Sequence, residues 1–197
     1  MKSIEIENEN VERDLSTTEY EKRLNAESKG TITVEEEYAT LKYARQLSHP
    51  REIVWKAITD PKEIFKWLPD YKGVFEGYTG GSIDLVNNVS GSHVTGDIMV
   101  WDLHHVFEYE WHISPNPMFP RGEPESLVRW ELKQDGDSGT ILTVTHSRIS
   151  KPTSLRIAPG WHVYLDWLEA ILNNQVPPDF MHRFAEVKEL YPSYLVR

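Results

Sequence analysis

The spacing of apolar and polar positions changes character twice along the chain. Residues 1 to about 30 are polar and Glu-rich. Within them Ser16-Thr17-Thr18-Glu19 forms a capping-box pattern, with Tyr20 and Leu24 one helical turn apart, which predicts a short helix on a polar extension. From Thr31 onward strand-like segments predominate. The alternation predicts a first strand over 32–47, then strands near 72–79, 82–88, 92–102, 105–113, 126–134 and 139–149, most of them divided by turn residues. Between the first strand and the others, Ser48-His49-Pro50 predicts a helix start capped by the serine, with Ile53, Val54, Ala57 and Ile58 as its apolar stripe. Thr59-Asp60-Pro61 ends that helix and opens a second one carrying Ile64, Trp67 and Leu68, which Pro69-Asp70 closes.

After Lys151-Pro152 the period is helical again. Trp161, Tyr164, Leu165, Leu168, Ile171 and Leu172 share one face of a single long helix, and Gly160 is expected to let the chain turn just before Trp161. Val176-Pro177-Pro178 breaks the chain, and Phe180, Phe184, Val187 and Leu190 predict a last amphipathic helix that docks on the domain or on a second copy of it. Strand, two short helices, an antiparallel meander and a long helix make an α+β order in which a bent sheet wraps the final helix. The expected organisation is an extension over 1–30, a domain over 31–175 and a second extension over 176–197.

Composition narrows the function. The 197 residues carry a formal charge of −10, with no Lys/Arg run to neutralise phosphates, so nucleic acid is not an expected partner. Met1-Lys2-Ser3-Ile4-Glu5-Ile6-Glu7 has carboxylates where a secretory signal needs an apolar run, and no segment is long and apolar enough for membrane insertion. With no cysteine, a disulfide framework, a thiol nucleophile and a thiolate metal site are excluded, and the cytoplasm is the expected compartment.

Four blocks carry a resemblance. They are Val54-Trp55-Lys56-Ala57-Ile58-Thr59-Asp60-Pro61 followed by Trp67-Leu68; Gly96-Asp97-Ile98-Met99-Val100 continuing to Tyr109-Glu110-Trp111; Gly139-Thr140-Ile141-Leu142-Thr143-Val144-Thr145-His146; and Pro159-Gly160-Trp161 through Leu168. In this order and spacing the chain, from about Glu36 to Asn173, resembles the activator-of-Hsp90-ATPase-homologue-like branch of the START/Bet v 1-like superfamily. The resemblance implies a helix-grip fold with a cavity between sheet and long helix. It stops at the N-terminal extension, at the loop Pro115 to Gly122 and after Asn173. It implies no single function, because ligand carriers, cyclases and co-chaperone domains share the scaffold. About 30 residues ahead of the fold are too few for the separate N-terminal domain of the Hsp90-activating proteins.

Strand parity selects the inward side chains, since residues two apart share a face. It aims His105, Phe107, Tyr109 and Trp111 inward, and with them Val94, Gly96, Ile98 and Val100, then Val128, Trp130 and Leu132, then Leu142, Val144 and His146. On the first strand Leu41, Tyr43 and Leu47 share a parity with Arg45. An inward guanidinium needs a carboxylate, carbonyls or a ligand anion, and a protein carboxylate is the commoner partner. For His105 and His146 a hydrogen-bonded core position is commoner than a role in ligand or proton handling. Tyr43 and Tyr109 have the same two readings. Trp55 and Trp67 are expected to fill the core, whereas Trp111 and Trp161, with Leu165 beside them, fall where the family's cavities open. His93, His104, His105 and His112 lack metal-ligand spacing, and no cofactor is expected.

The leading expectation is a non-catalytic protein that binds a small, largely apolar, lipid-like or aromatic molecule. The alternatives are a chaperone-associated or stress-response module with a protein partner, and a cyclase- or aromatase-like enzyme using His146, His105, Tyr109 or Arg45. A homodimer is compatible with each.

Overall fold

The computed structural model describes residues 28–191. Its first feature is a hairpin: β1 (Thr31–Glu35) pairs antiparallel with β2 (Tyr38–Leu47), Glu35 lying opposite Tyr38. The expected single strand over 32–47 is therefore two. The turn between them has no Gly, Asn or Pro to announce it, and Glu36 itself takes the left-handed conformation, at φ 46°. The capping-box helix expected at residues 16–24 lies outside the described residues.

Two short helices follow, α1 (Arg51–Thr59) and α2 (Pro61–Trp67). The residue preceding α1 is Pro50, and no side chain caps it, so the expected Ser48 cap is not formed. Asp60 ends α1 and starts α2, its carboxylate accepting from the Lys62 N–H at 2.9 Å. Six strands then run as a meander: β3 (Tyr71–Phe75), β4 (Ser82–Asn87), β5 (His93–Asp102), β6 (Val106–Ile113), β7 (Glu123–Asp135) and β8 (Gly139–Ser150). The sheet order is β1-β2-β8-β7-β6-β5-β4-β3, antiparallel at every pairing. Register shifts in β2, β5 and β6 bend these strands, which lets the sheet curve.

The long helix α3 (Lys151–Leu172) lies in that curve, and α4 (Phe180–Lys188) packs on it. Gly160 does not turn the chain, since α3 runs unbroken through it. The core between sheet and α3 is largely aromatic. Phe107 and Trp130, opposite each other on β6 and β7, stack at 5.8 Å and 4°, and Trp161 meets Trp130 edge-on at 5.8 Å. Trp55 and Trp67 are buried beneath α1 and α2, the Trp67 N–H donating to the Ala57 carbonyl at 2.9 Å.

Parity holds along β6, where Phe107, Tyr109 and Trp111 are all buried, and along β7 and β8. It breaks at two inward assignments. His105 is exposed, because the turn Asp102–His105, with His104 at φ 65°, precedes the strand that starts at Val106. Val100 faces outward, because the bulge between Ile98 and Val100 reverses the alternation and turns Trp101 toward Trp55, 5.0 Å away.

Candidate ligand-binding cavity

A half-open cavity of about 320 Å³ lies between α3 and the β4–β5–β6 end of the sheet. Its helical wall is one face of α3, with Arg156, Ile157, Gly160, Trp161 and Tyr164 at helical spacing. From Arg156 to Tyr164 that wall runs about 12 Å, at 1.5 Å per residue. Val94, Trp111 and Ile113 form the sheet wall, the loop after β6 adds Met118 and Phe119, and α4 adds Phe180, Met181 and Phe184. Two segments beyond the reach of the family resemblance thus contribute to the walls.

Of the residues expected to meet a ligand, the structure brings Trp111 and Trp161 to this cavity, each 7% exposed, with their rings 6.0 Å apart. The others lie elsewhere. Tyr43 is buried under α3 and donates to the Ala158 carbonyl at 2.8 Å; burial and the neighbouring Tyr191 raise its pKa well above the ordinary value. Phe107, Trp130 and Leu165 are packed in the core, and Tyr109 accepts the Trp130 indole N–H at 3.1 Å. His105 faces solvent at the turn described above.

Arg45 is inward, as parity has it, and its partner is a protein carboxylate. The guanidinium meets Asp166 of α3 at 3.1 Å and donates to the Ser28 carbonyl at 2.7 Å. Asp166 also binds Arg183 of α4 at 2.8 Å, so one carboxylate joins β2, α3 and α4. Beside it His162 is fully buried, with Nδ1 2.9 Å from the Tyr191 hydroxyl and Nε2 3.7 Å from Asp166 Oδ1, without a hydrogen-bond partner among the described residues; burial lowers its pKa to about 4.

His146 sits behind the cavity wall in a closed chain of hydrogen bonds. The Trp161 indole N–H donates to its Nδ1 at 3.0 Å. An indole nitrogen can only donate, so Nδ1 is unprotonated, and Nε2 carries the proton and donates to the Ser126 hydroxyl, also at 3.0 Å. Ser126 in turn donates to the Trp111 carbonyl at 2.5 Å. The chain fixes the neutral tautomer and ties both cavity tryptophans to one buried imidazole. Desolvation pushes the His146 pKa down to about 3, which suits support rather than proton transfer.

Of the polar groups that line the cavity, periodicity placed Tyr164 on the inward face of the long helix but did not single out Asp70, Tyr71 or Asn87. Tyr71 opens β3 directly opposite Asn87 on β4, and the Tyr164 hydroxyl donates to the Asp70 carboxylate at 3.3 Å. The Asn87 amide oxygen accepts from the Val89 and Ser90 N–H groups at 3.0 and 2.8 Å, which fixes the amide's orientation. Burial raises the pKa of both tyrosines; the Asp70 charge adds to the rise and the Asn87 amide opposes it. Asp70 falls in the turn after α2, and Tyr71 opens β3 one position ahead of the strand expected near 72–79. A sequence signal for them was Pro69-Asp70, a breaker followed by an aromatic strand start.

This architecture, an antiparallel sheet curved about a long helix with a cavity between them, is the helix-grip class. The sequence profile of the family described as activator of Hsp90 ATPase homolog 1-like protein matches residues 48–173. The chain belongs to that family. Its fold is also that of CalU16 from Micromonospora echinospora, at a TM-score of 0.64 and 23% identity over 86% of this chain and 98% of that one. It is likewise similar to a protein of Bordetella parapertussis encoded by gene BPP1335 (TM-score 0.65, 23% identity, 80% and 87% of the two chains). Protein MLL2253 of Mesorhizobium loti is a third (0.59, 23%, 70% and 98%). No curated protein is significantly similar in sequence. Among the described residues no helix is long and apolar enough to cross a membrane, and no group of three or more His, Asp or Glu is placed to hold a metal ion.

Proposed function

We propose that the protein binds a small, largely apolar molecule in the cavity beside α3 and does not transform it chemically. The observation that carries this reading is the cavity itself, walled by Trp111, Ile113, Phe119, Ile157, Trp161 and Phe184, in a scaffold class known for hydrophobic ligands. Affinity would come mainly from removing apolar surface from water, at about 25 cal/mol per Å². The absence of His146, His105, Tyr109 and Arg45 from the lining favours binding over a cyclase-like alternative that uses those groups.

Gly160 offers a direct test, because a side chain added there meets nothing within 4 Å and points into the lined space. Gly160→Leu is expected to raise helix stability, by up to about 1 kcal/mol on propensity, while filling the room. Titrated with the neutral probe N-phenyl-1-naphthylamine, the unaltered protein should enhance probe fluorescence saturably, and Gly160→Leu should bind at least about tenfold more weakly at an unchanged or higher melting temperature. Equal binding by both forms, or none by either, would overturn the proposal.

A further inference from the structure

Among the described residues two charged ones line the cavity, and they stand at opposite ends of its helical wall. Arg156 is exposed at one end, with its guanidinium donating to the Met118 carbonyl at 2.5 Å. Asp70 is half-buried at the other, beside Tyr164, and among the described residues it has no ion pair; its side chain accepts the Tyr164 hydroxyl. A carboxylate that borders apolar space without a cation retains most of its electrostatic demand, since one phenol hydrogen bond leaves several lone pairs unused.

What surrounds Asp70 is a set of rings. Tyr71 lies 6.2 Å from Tyr164 and 6.2 Å from Trp111 by ring centroids, and Tyr164 lies 5.1 Å from Phe180. Aromatic faces attract cations, and an anion beside them adds a direct partner for an ammonium N–H. The Asn87 amide, held by the Val89 and Ser90 N–H groups, lines the same cavity. The chain as a whole carries a formal charge of −10, which draws cations toward it and repels anions.

Building on the binding reading above, we infer that the ligand class is an apolar, aromatic-sized molecule bearing a protonated amine, its ammonium seated on Asp70 beside the Tyr71–Tyr164 pair and its apolar body lying along α3 toward Ile157. Arg156 then faces solvent near the far end, where a neutral or weakly acidic tail is tolerated. Three probes with one apolar body separate the possibilities: 2-(1-naphthyl)ethylamine, 2-(1-naphthyl)ethanol and 1-naphthylacetate.

Calorimetry with the unaltered protein at pH 7 and low salt should rank the amine first, by about tenfold or more over the alcohol, with the acetate weakest. Asp70→Asn retains an acceptor for Tyr164 and should bring the amine-to-alcohol affinity ratio close to one. An alcohol that binds as well as the amine, or an acetate that binds best, overturns the amine assignment and leaves the cavity reading standing. No binding by any of the three overturns both. The probe series on the unaltered chain decides the matter even if the variant folds poorly.

Discussion

Leu168→Ala is expected to cost about 2–5 kcal/mol, and Trp161→Ala about 3–5 kcal/mol, either one a large fraction of the stability of a domain this size. Leu168 is fully buried in the core against which α3 packs, so its truncation leaves a void that the surroundings fill only in part. Trp161 combines two roles that the sequence presented as alternatives. It borders the cavity, yet its ring is also wedged among Trp111, Trp130 and His146 at 6.0, 5.8 and 5.9 Å. Its loss removes that packing and leaves His146 Nδ1 without a donor. Trp161→Phe separates the contributions: the bulk largely remains and the N–H goes, so a cost of about 1–3 kcal/mol for the orphaned acceptor is expected. Urea titrations followed by circular dichroism measure all three. Trp161→Phe as stable as the unaltered protein would show that the hydrogen-bond chain through Ser126 contributes nothing.

The second large effect is on acid stability. His146 and His162 have folded pKa values of about 3 and about 4, depressed first of all by burial, against about 6.5 in the unfolded chain. The unfolded state therefore binds protons from pH 6.5 downward that the folded state refuses. Their contribution is fully present above pH 6.5 and is lost as the pH falls toward the folded values, at about 1.4 kcal/mol per pH unit for each histidine. Between pH 6.5 and 5, above the range in which ordinary carboxylates titrate, the urea midpoint should fall steadily. His146→Gln keeps an acceptor for Trp161 and a donor for Ser126, and it should roughly halve that slope. A midpoint independent of pH over this window would mean that the two imidazoles are not held neutral.

Why parity located the core better than the cavity follows from what parity measures. Alternation reports which face of a strand avoids water, so Phe107, Tyr109, Trp130 and His146 were correctly placed inward. It does not distinguish a side chain packed against others from one beside empty space, and most of the residues it selected are packed. The cavity is built partly where local rules lapse, at Asp70 and Tyr71 after a helix stop and at Met118 and Phe119 in an irregular loop, and partly by Phe180 and Phe184, whose periodicity announces a helix but not what that helix covers. His105 and Val100 were misassigned for related reasons, a turn with a non-glycine residue in the left-handed region and a bulge that adds one residue. Arg45 was legible as an anomaly, but Asp166, 121 residues away, was not legible as its partner.

The helix α4 lies beyond the stretch matched by the family profile, yet it supplies part of the cavity's boundary and is held by Asp166 through Arg183. The boundary of the cavity is thereby shared between the family stretch, which supplies Trp111 and Trp161, and a helix outside it. Changes at Met181, 71% exposed on that helix, can narrow or recharge the space without entering the aromatic interior. A change in what the space would admit then need not be a change in how the scaffold folds.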